Sequence, residues 1–441
     1  MAERLVEAVA RASRGDEHTR WNFAVIGAES AAFQSGMMWA DPVTVLPLFI
    51  GQLGGSTVLV GLVTLLQRLG WILPQLPMAA VVGHRPNRLP YLRWGVLLFR
   101  LPFLAFVAYL WWAGVSDPRV VLTFMLLGYF SVALGNGFVA LPWQDIIAKS
   151  IPAEIRGRFF GVMQFATASL AMGVGFVVRY MLGSNAPAFP TNYAILFSLT
   201  GLFFTLSTVG CWLVREPIRP VLDRPETMRD ILRGVIPFLR REAGFRYLAT
   251  VAMLGVGMSL TTPFYIVYAT KQLGVAPQTA GVYIMAATIG GAVSSLVWAH
   301  YNDRRGPRAA LRGGAACTLL APTLALLVPP LARGVEAVTG VTILPYLFGL
   351  VFLVAGSSMN GMWIGTNNYV FDLASHQERP RYIAILNWLA IPGAAIPVVV
   401  GVALKSVPYP LVFAGLTVVG AAVFGLAWRM PRPRRNAEAA S

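Results

Sequence analysis

The chain alternates between apolar runs of about 20 residues and short clusters of basic residues, and that rhythm decides most of what it can become. A helix needs about 20 residues, at 1.5 Å each, to cross ~30 Å of hydrocarbon. Such runs extend over Trp21 to Ile50, Val58 to Val82, Tyr91 to Gly114, Val120 to Leu141, Phe159 to Leu182 and Tyr193 to Val214. A second set covers Phe245 to Thr270, Ala280 to Ala299, Gly313 to Leu331, Leu344 to Val370, Tyr382 to Leu404 and Pro408 to Trp428. Lipid offers no partner to an unpaired backbone amide, so each run is predicted to be a helix. Only 12% of the 441 residues are charged and 56% are hydrophobic. A soluble chain carries roughly 25% charged residues. The predicted fold class is an all-α integral membrane protein of twelve transmembrane helices.

Charge sets the orientation. Almost all of the 35 lysines and arginines fall on one side of the spans, which is therefore predicted to be cytoplasmic, with both termini on it. Only Arg119, Arg179, Lys271, Arg333 and Lys405 lie on or near the other side, and Arg68 and Arg100 lie within spans. One missed span would invert every later loop, so the bias supports the count. The net charge of +16 is broken into separate clusters, not the continuous stripe that a nucleic acid needs. Cys211 and Cys317 sit in apolar runs and imply no disulfide framework, and no metal-ligand spacing or phosphate-cradling loop is present. No cofactor is expected. Residues 1–20 read as a cytoplasmic amphipathic segment lying on the membrane, since no cleavable signal peptide is evident.

The spans divide into two sets of six. Residues 21–214 and 245–429 form the halves, the proline-bearing stretch 215–244 reads as a cytoplasmic linker, and 430–441 is a basic tail. The halves share a pattern. Asn136-Gly137 is followed by Pro142-Trp143-Gln144-Asp145 and then Glu154, Arg156 and Arg158. Asn360-Gly361 is followed by Asn367-Asn368, Asp372 and then Glu378, Arg379 and Arg381. The spacing from Asn136 to Glu154 equals that from Asn360 to Glu378. A six-helix duplication is one route to alternating access around a midplane site.

The stretch Ala299-His300-Tyr301-Asn302-Asp303-Arg304-Arg305-Gly306-Pro307-Arg308 resembles the cytoplasmic loop motif of the major facilitator superfamily. The first-half counterpart, Gly83-His84-Arg85-Pro86-Asn87-Arg88, has histidine where that motif has aspartate. The course from Asp145 to Gly161 resembles bacterial members. The resemblance covers nearly the whole chain. It implies two pseudo-symmetric six-helix bundles, with spans 1, 4, 7 and 10 lining a central cavity, and gating by the charged loops. Asp303 is then the candidate latch of the second half, flanked by Arg304, Gly306 and Arg308, and it is expected to carry more of the latch than the His84 side. The family's antiporter signature is not met, because Gly173-Val174-Gly175 has no proline beside it.

Four charges fall inside spans: Glu29, Asp41, Arg68 and Arg100. Such residues are costly in lipid and usually structural or functional. Folding the first two spans about residue 54 puts Asp41 and Arg68 at one depth, roughly 13–15 Å from the outer surface. They are candidates for an ion pair, either as a structural pin or as a pair opened during transport. Glu29, about 12 Å in from the inner side, is a vestibule glutamate or a proton carrier. Arg100 is expected to reach the surface or to pack on a neighbouring helix. Gln34, Trp39, Asn136, Tyr265, Tyr268, Asn360, Trp363, Asn367 and Asn368 are candidate cavity polar and aromatic residues, with Met37, Met38, Met253 and Met258 as adaptable surface. Amides among aromatics suit an amphipathic organic solute.

The expected function is secondary active transport of such a solute by a monomer across the bacterial cytoplasmic (inner) membrane, with a proton as candidate coupling ion. Two other classes stay open. One is a non-transporting receptor or assembly protein on the same scaffold, for which His84 leaves room. The other is a membrane enzyme acting on lipid, which would need clustered His, Cys or carboxylates at one membrane level.

Overall fold

The computed structural model describes residues 2–82, 85–217, 243–373 and 379–431. Among these, helix is the rule and no strand occurs. In chain order the helices are α1 (Ala2–Trp39), α2 (Val45–Gln52), α3 (Thr57–Ile72), α4 (Gln75–Val82), α5 (Leu89–Ala113), α6 (Pro118–Ser150), α7 (Ala153–Met181) and α8 (Thr191–Leu213). There follow α9 (Ala243–Ser259), α10 (Pro263–Lys271), α11 (Ala280–Arg305), α12 (Pro307–Thr339), α13 (Leu344–Leu347), α14 (Gly349–Leu373), α15 (Arg379–Leu389), α16 (Ile396–Ala403) and α17 (Tyr409–Arg429). Ten helical stretches among the described residues are long and apolar enough to cross a membrane. The first two expected spans are not among the ten; each comes as two helices, α1 with α2 and α3 with α4.

Prolines account for these and similar breaks, because proline donates no amide and clashes with the preceding turn. Pro42 separates α1 from α2, Pro74 separates α3 from α4, and Pro263 opens α10 after α9 ends at Ser259. The eleventh span is interrupted by a 3-10 turn over Ile391–Ala395, which contains Pro392. Two expectations change here. Residues 2–20 continue the helix of the first span without a break, so they are not a separate helix in the membrane plane. The stretch from His300 to Arg305 is not a loop but the end of α11. It stops at Gly306, whose φ of 81° is open to glycine, and Pro307 starts α12 at once. Most of the expected linker (218–242) and the tail beyond residue 431 lie outside the described residues.

Within the first half, α1 packs on α7 and α8, α5 on α6 and α8, and α3 on α6; within the second, α14 packs on α11 and α12, and α12 on α17. The halves meet through α2 against α10, α3 against α16, and α7 against α11. These contacts gather at the end holding the α2–α3 hairpin, opposite the chain termini. Small residues let the backbones approach there. A Cβ on Gly281 would overlap the Gly175 carbonyl, and one on Gly401 would lie 2.5 Å from the Thr57 carbonyl. The Thr57 hydroxyl donates to the Gly401 carbonyl at 2.6 Å, tying the two halves across that seam.

Candidate functional site

The buried charges sort into two arrangements. Glu29 and Arg100 are both nearly inaccessible, at 6% and 5% exposed, and Ser207 of α8 bridges them. The Ser207 hydroxyl donates to Glu29 Oε1 at 2.7 Å and accepts from an Arg100 nitrogen at 3.1 Å. Arg100 also donates to the Phe204 carbonyl and the Thr208 hydroxyl, each at 2.7 Å, and its guanidinium lies over the rings of Phe33 and Phe204. Trp143 and Ser30 each donate to Glu29 Oε2 at 3.2 Å. Four helices (α1, α5, α6 and α8) are therefore pinned by one polar network. Arg100 packs inward and does not snorkel.

Asp41 behaves differently. Its carboxylate accepts from the Thr44 amide at 2.8 Å and the Thr44 hydroxyl at 2.7 Å, which satisfies the chain where α2 begins after the Pro42 break. Among the described residues no ion pair joins it to Arg68, whose Nε is buried without a hydrogen-bond partner. Nearby, the Ser35 hydroxyl, the Trp39 indole nitrogen and the Tyr129 hydroxyl are likewise buried and unpartnered.

Helix faces decide which candidates line the space between the halves. On α14, Ser357 and Asn360 bond to α11, while Gly361 and Gly365 press on α12. The face opposite α12 carries Met359 and Trp363, 67% and 68% exposed, with Asn367 beside them donating to the Trp363 carbonyl. On α1, Glu29 and Gly36 face α8, so Gln34 and Met38 project the other way, and Gln34 is exposed. Asn136 shares an α6 face with Trp143, toward α1. Other candidates are structural. Asn360 donates to the Gly291 carbonyl at 2.8 Å, and Tyr265 is buried against Phe352 and Phe413. Tyr268 stacks on Tyr409. Trp39 packs on Phe203.

At the terminal end, ion pairs tie the first half together. Arg88 pairs with Asp145 at 2.7 Å, and Lys149 pairs with Asp145 at 2.6 Å and with Glu216 at 3.0 Å. Glu216 also accepts from the Arg88 and Leu89 amides at 2.8 and 2.7 Å, capping the start of α5. Asp303 is exposed, and among the described residues it accepts from the Asn302 side-chain amide at 3.4 Å. Arg304 and Arg85 are exposed, Arg308 and Gly306 are half-buried, and Asp372 lies in the last turn of α14. His84 and Glu378 lie outside the described residues, as do the side chains of Glu154, Arg156, Arg158 and Arg381.

Ser207, Met359 and Glu216 were not singled out by sequence, and Trp143 entered only as part of the repeated pattern. A serine in a span carries no signal, and Glu216 was absorbed into the linker.

A multi-pass helical protein whose halves meet at one end, around exposed residues on inner helices, has the build of a membrane transporter. Residues 247–441 match the family model described as Major Facilitator Superfamily. "Uncharacterized protein Rv2209" of Mycobacterium tuberculosis (strain ATCC 25618 / H37Rv) is 26% identical over 372 residues, covering 81% of this chain and 68% of that one. Among solved structures, the nucleoside transporter NupG superposes with a TM-score of 0.65 at 14% identity, over 92% of this chain and 99% of NupG. A bacterial homologue of the human lysosomal transporter Spinster, inward-facing and occupied, gives 0.65 at 15% identity over 96% and 97%. The D-xylose-proton symporter gives 0.63 at 14% identity over 95% and 98%. The second half of the chain thus matches the superfamily's model, and the fold is the one these transporter structures share.

Proposed function

We propose that the protein is a secondary transporter that carries a small amphipathic organic solute across the cytoplasmic membrane by alternating access, as a monomer with both termini inside. The units at 21–214 and 245–429 rock against each other, joined by the linker at 215–244. The observation that carries this reading is the one-ended contact between the halves. They are sealed at the hairpin end, while Gln34, Met38, Met359 and Trp363 stay on free helix faces. With the basic residues facing the cytoplasm, this is the inward-facing arrangement. An exposed indole, two thioethers and a few amides favour a ligand with both apolar surface and hydrogen-bonding groups. A proton is the coupling candidate through Glu29 or Asp41, the carboxylates at depth in the first half. The gating role of the charged loop residues, Asp303 and Asp145 foremost, belongs to the same reading.

The test is sided accessibility. With Cys211 and Cys317 replaced by alanine, a cysteine at Trp363 should react with an impermeant maleimide from the cytoplasmic side only. Adding Gly281→Leu, which forbids the close α7–α11 approach, should move the reaction to the other side. Equal labelling from both sides in both proteins would reject alternating access.

A further inference from the structure

Of the four charges inside spans, three are held by neighbours. Glu29 and Arg100 are joined through Ser207, and the Asp41 carboxylate accepts twice from Thr44. Arg68 is the exception. Among the described residues its guanidinium makes no hydrogen bond and no ion pair, although its Nε is buried. A bare cation within a span is costly and marks function by default.

Its place follows from helix register. Thr57 and Gly61 lie one turn apart on the face of α3 that meets the second half. The Thr57 hydroxyl reaches the Gly401 carbonyl, and a Cβ on Gly61 would overlap the Pro397 carbonyl. Arg68 lies two turns beyond Gly61 and so shares that face. The two segments run antiparallel, four residues against four, which puts Arg68 level with Ala390. That level is just past the 3-10 turn at Ile391–Ala395. Close packing of α3 on the eleventh span covers α16 and that turn and, among the described residues, stops there. Arg68 therefore stands where the seal ends and the space between the halves begins. Trp388, in the last turn of α15 and near the same level, has an indole nitrogen that is also buried without a partner. Both groups donate and neither accepts.

We propose that Arg68 receives an acid group of the solute, which makes the cargo an amphipathic organic acid. The proposal rests on the transport reading above and narrows it. In the inward-facing arrangement, water entering between the halves solvates the guanidinium. Closing the inner ends removes that water, and an unpaired cation is the group that burial penalises most. The carboxylates of the first half are already engaged, Glu29 by Ser207, Ser30 and Trp143, and Asp41 by Thr44. A carboxylate or phosphate on the solute supplies the missing charge and fits the planar guanidinium with two parallel hydrogen bonds. A neutral solute of the same shape would leave the cation bare, so the charge selects the cargo.

The experiment is thermal unfolding of the purified full-length protein in detergent, at neutral pH and constant ionic strength. The probes are 1-naphthoate, 1-naphthyl phosphate, 1-naphthol and inorganic phosphate. The two aromatic acids should raise the melting midpoint saturably, by about 2 °C or more, and the alcohol and the inorganic ion should not. Arg68→Met should abolish the response while leaving the midpoint without probe at or above that of the parent, because no bond is lost. Arg68→Lys keeps the charge without the fork and should raise the half-saturating acid concentration about tenfold. A methionine variant that melts well below the parent, or does not fold, would show that the guanidinium holds the fold and would overturn the proposal. So would a response matched by 1-naphthol or by inorganic phosphate, one that survives Arg68→Met, or none to either acid. The readout is binding, so its failure is distinct from that of the transport reading. A protein that binds acids but labels equally from both sides at position 363 fails only the latter.

Discussion

Replacing Arg100 should expose how strongly the first half depends on its buried network. Arg100→Met keeps the length and apolar stem of the side chain but removes the donors to Phe204, Thr208 and Ser207. It also leaves the 6%-exposed Glu29 with hydroxyl and indole donors alone. Breaking a buried charge pair by removing one partner costs about 3–5 kcal/mol. The serine bridge places this case at the lower end, about 3 kcal/mol. Glu29→Gln keeps one acceptor and removes the charge, at a cost of about 2 kcal/mol. If the two groups act through Ser207, the double variant should cost about 1–2 kcal/mol less than the sum.

The assay can use a resident probe. Cys211 is 1% exposed and adjoins Gly210, where a Cβ would lie 2.8 Å from that of Glu29. With Cys317 replaced by alanine, a thiol-reactive fluorophore therefore reports unfolding of this region as the temperature rises. At about 2–4 °C per kcal/mol for mid-sized domains, and less for a chain this long, the coupling should appear as about 2–4 °C of non-additivity at a fixed scan rate. Shifts that add to within about 1 °C would show that Glu29 and Arg100 are independent. Ser207→Ala should then cost no more than an ordinary buried hydroxyl, about 1 kcal/mol.

Two further outcomes are expected. Glu216→Gln removes the charge that caps α5 and pairs with Lys149, and should lower stability by about 1–2 kcal/mol. Limited trypsin digestion should then cut faster after Arg88; an unchanged digestion rate would contradict the cap. At the α1–α2 break, Asp41→Asn preserves an acceptor for Thr44 and should shift stability by only about 0.5 kcal/mol, whereas Asp41→Ala should cost about 1 kcal/mol. A large loss with asparagine, rescued by also replacing Arg68 with glutamine, would instead reveal an ion pair.

Apolar length was enough to read the all-helical membrane class, because it follows from what lipid forbids; of the twelve expected spans, ten appear as long apolar helical stretches among the described residues. The breaks were less legible. Pro42 announced a kink, but Pro263 follows Thr261-Thr262 inside an otherwise uninterrupted apolar run, and a proline in such a run is tolerated where side chains re-satisfy the backbone. Depth arithmetic put Asp41 and Arg68 at one level, yet contact also requires the right helix rotation. The Pro42 break resets that rotation. Glu29 and Arg100 were both recognised as buried charges of the first half, but their link runs through a sixth-span serine that no periodicity marks. Met359 was missed for a similar reason: an exposed face on an inner helix looks, in sequence, like any lipid-facing one.

The two halves solve the same backbone problem with opposite chemistry. Each opens with a broken span, α1–α2 in one and α9–α10 in the other. In the first, an acceptor, Asp41, satisfies the Thr44 amide beyond the break. In the second, donors do the work: Thr261 and Thr262 turn their hydroxyls onto the Met258 and Ser259 carbonyls, each at 2.6 Å. The outer segment of that second break, α10, is also the piece that meets α2 of the first half. A shift at that break would therefore reach the seal between the halves through one short helix, while the first break is closed by its own carboxylate.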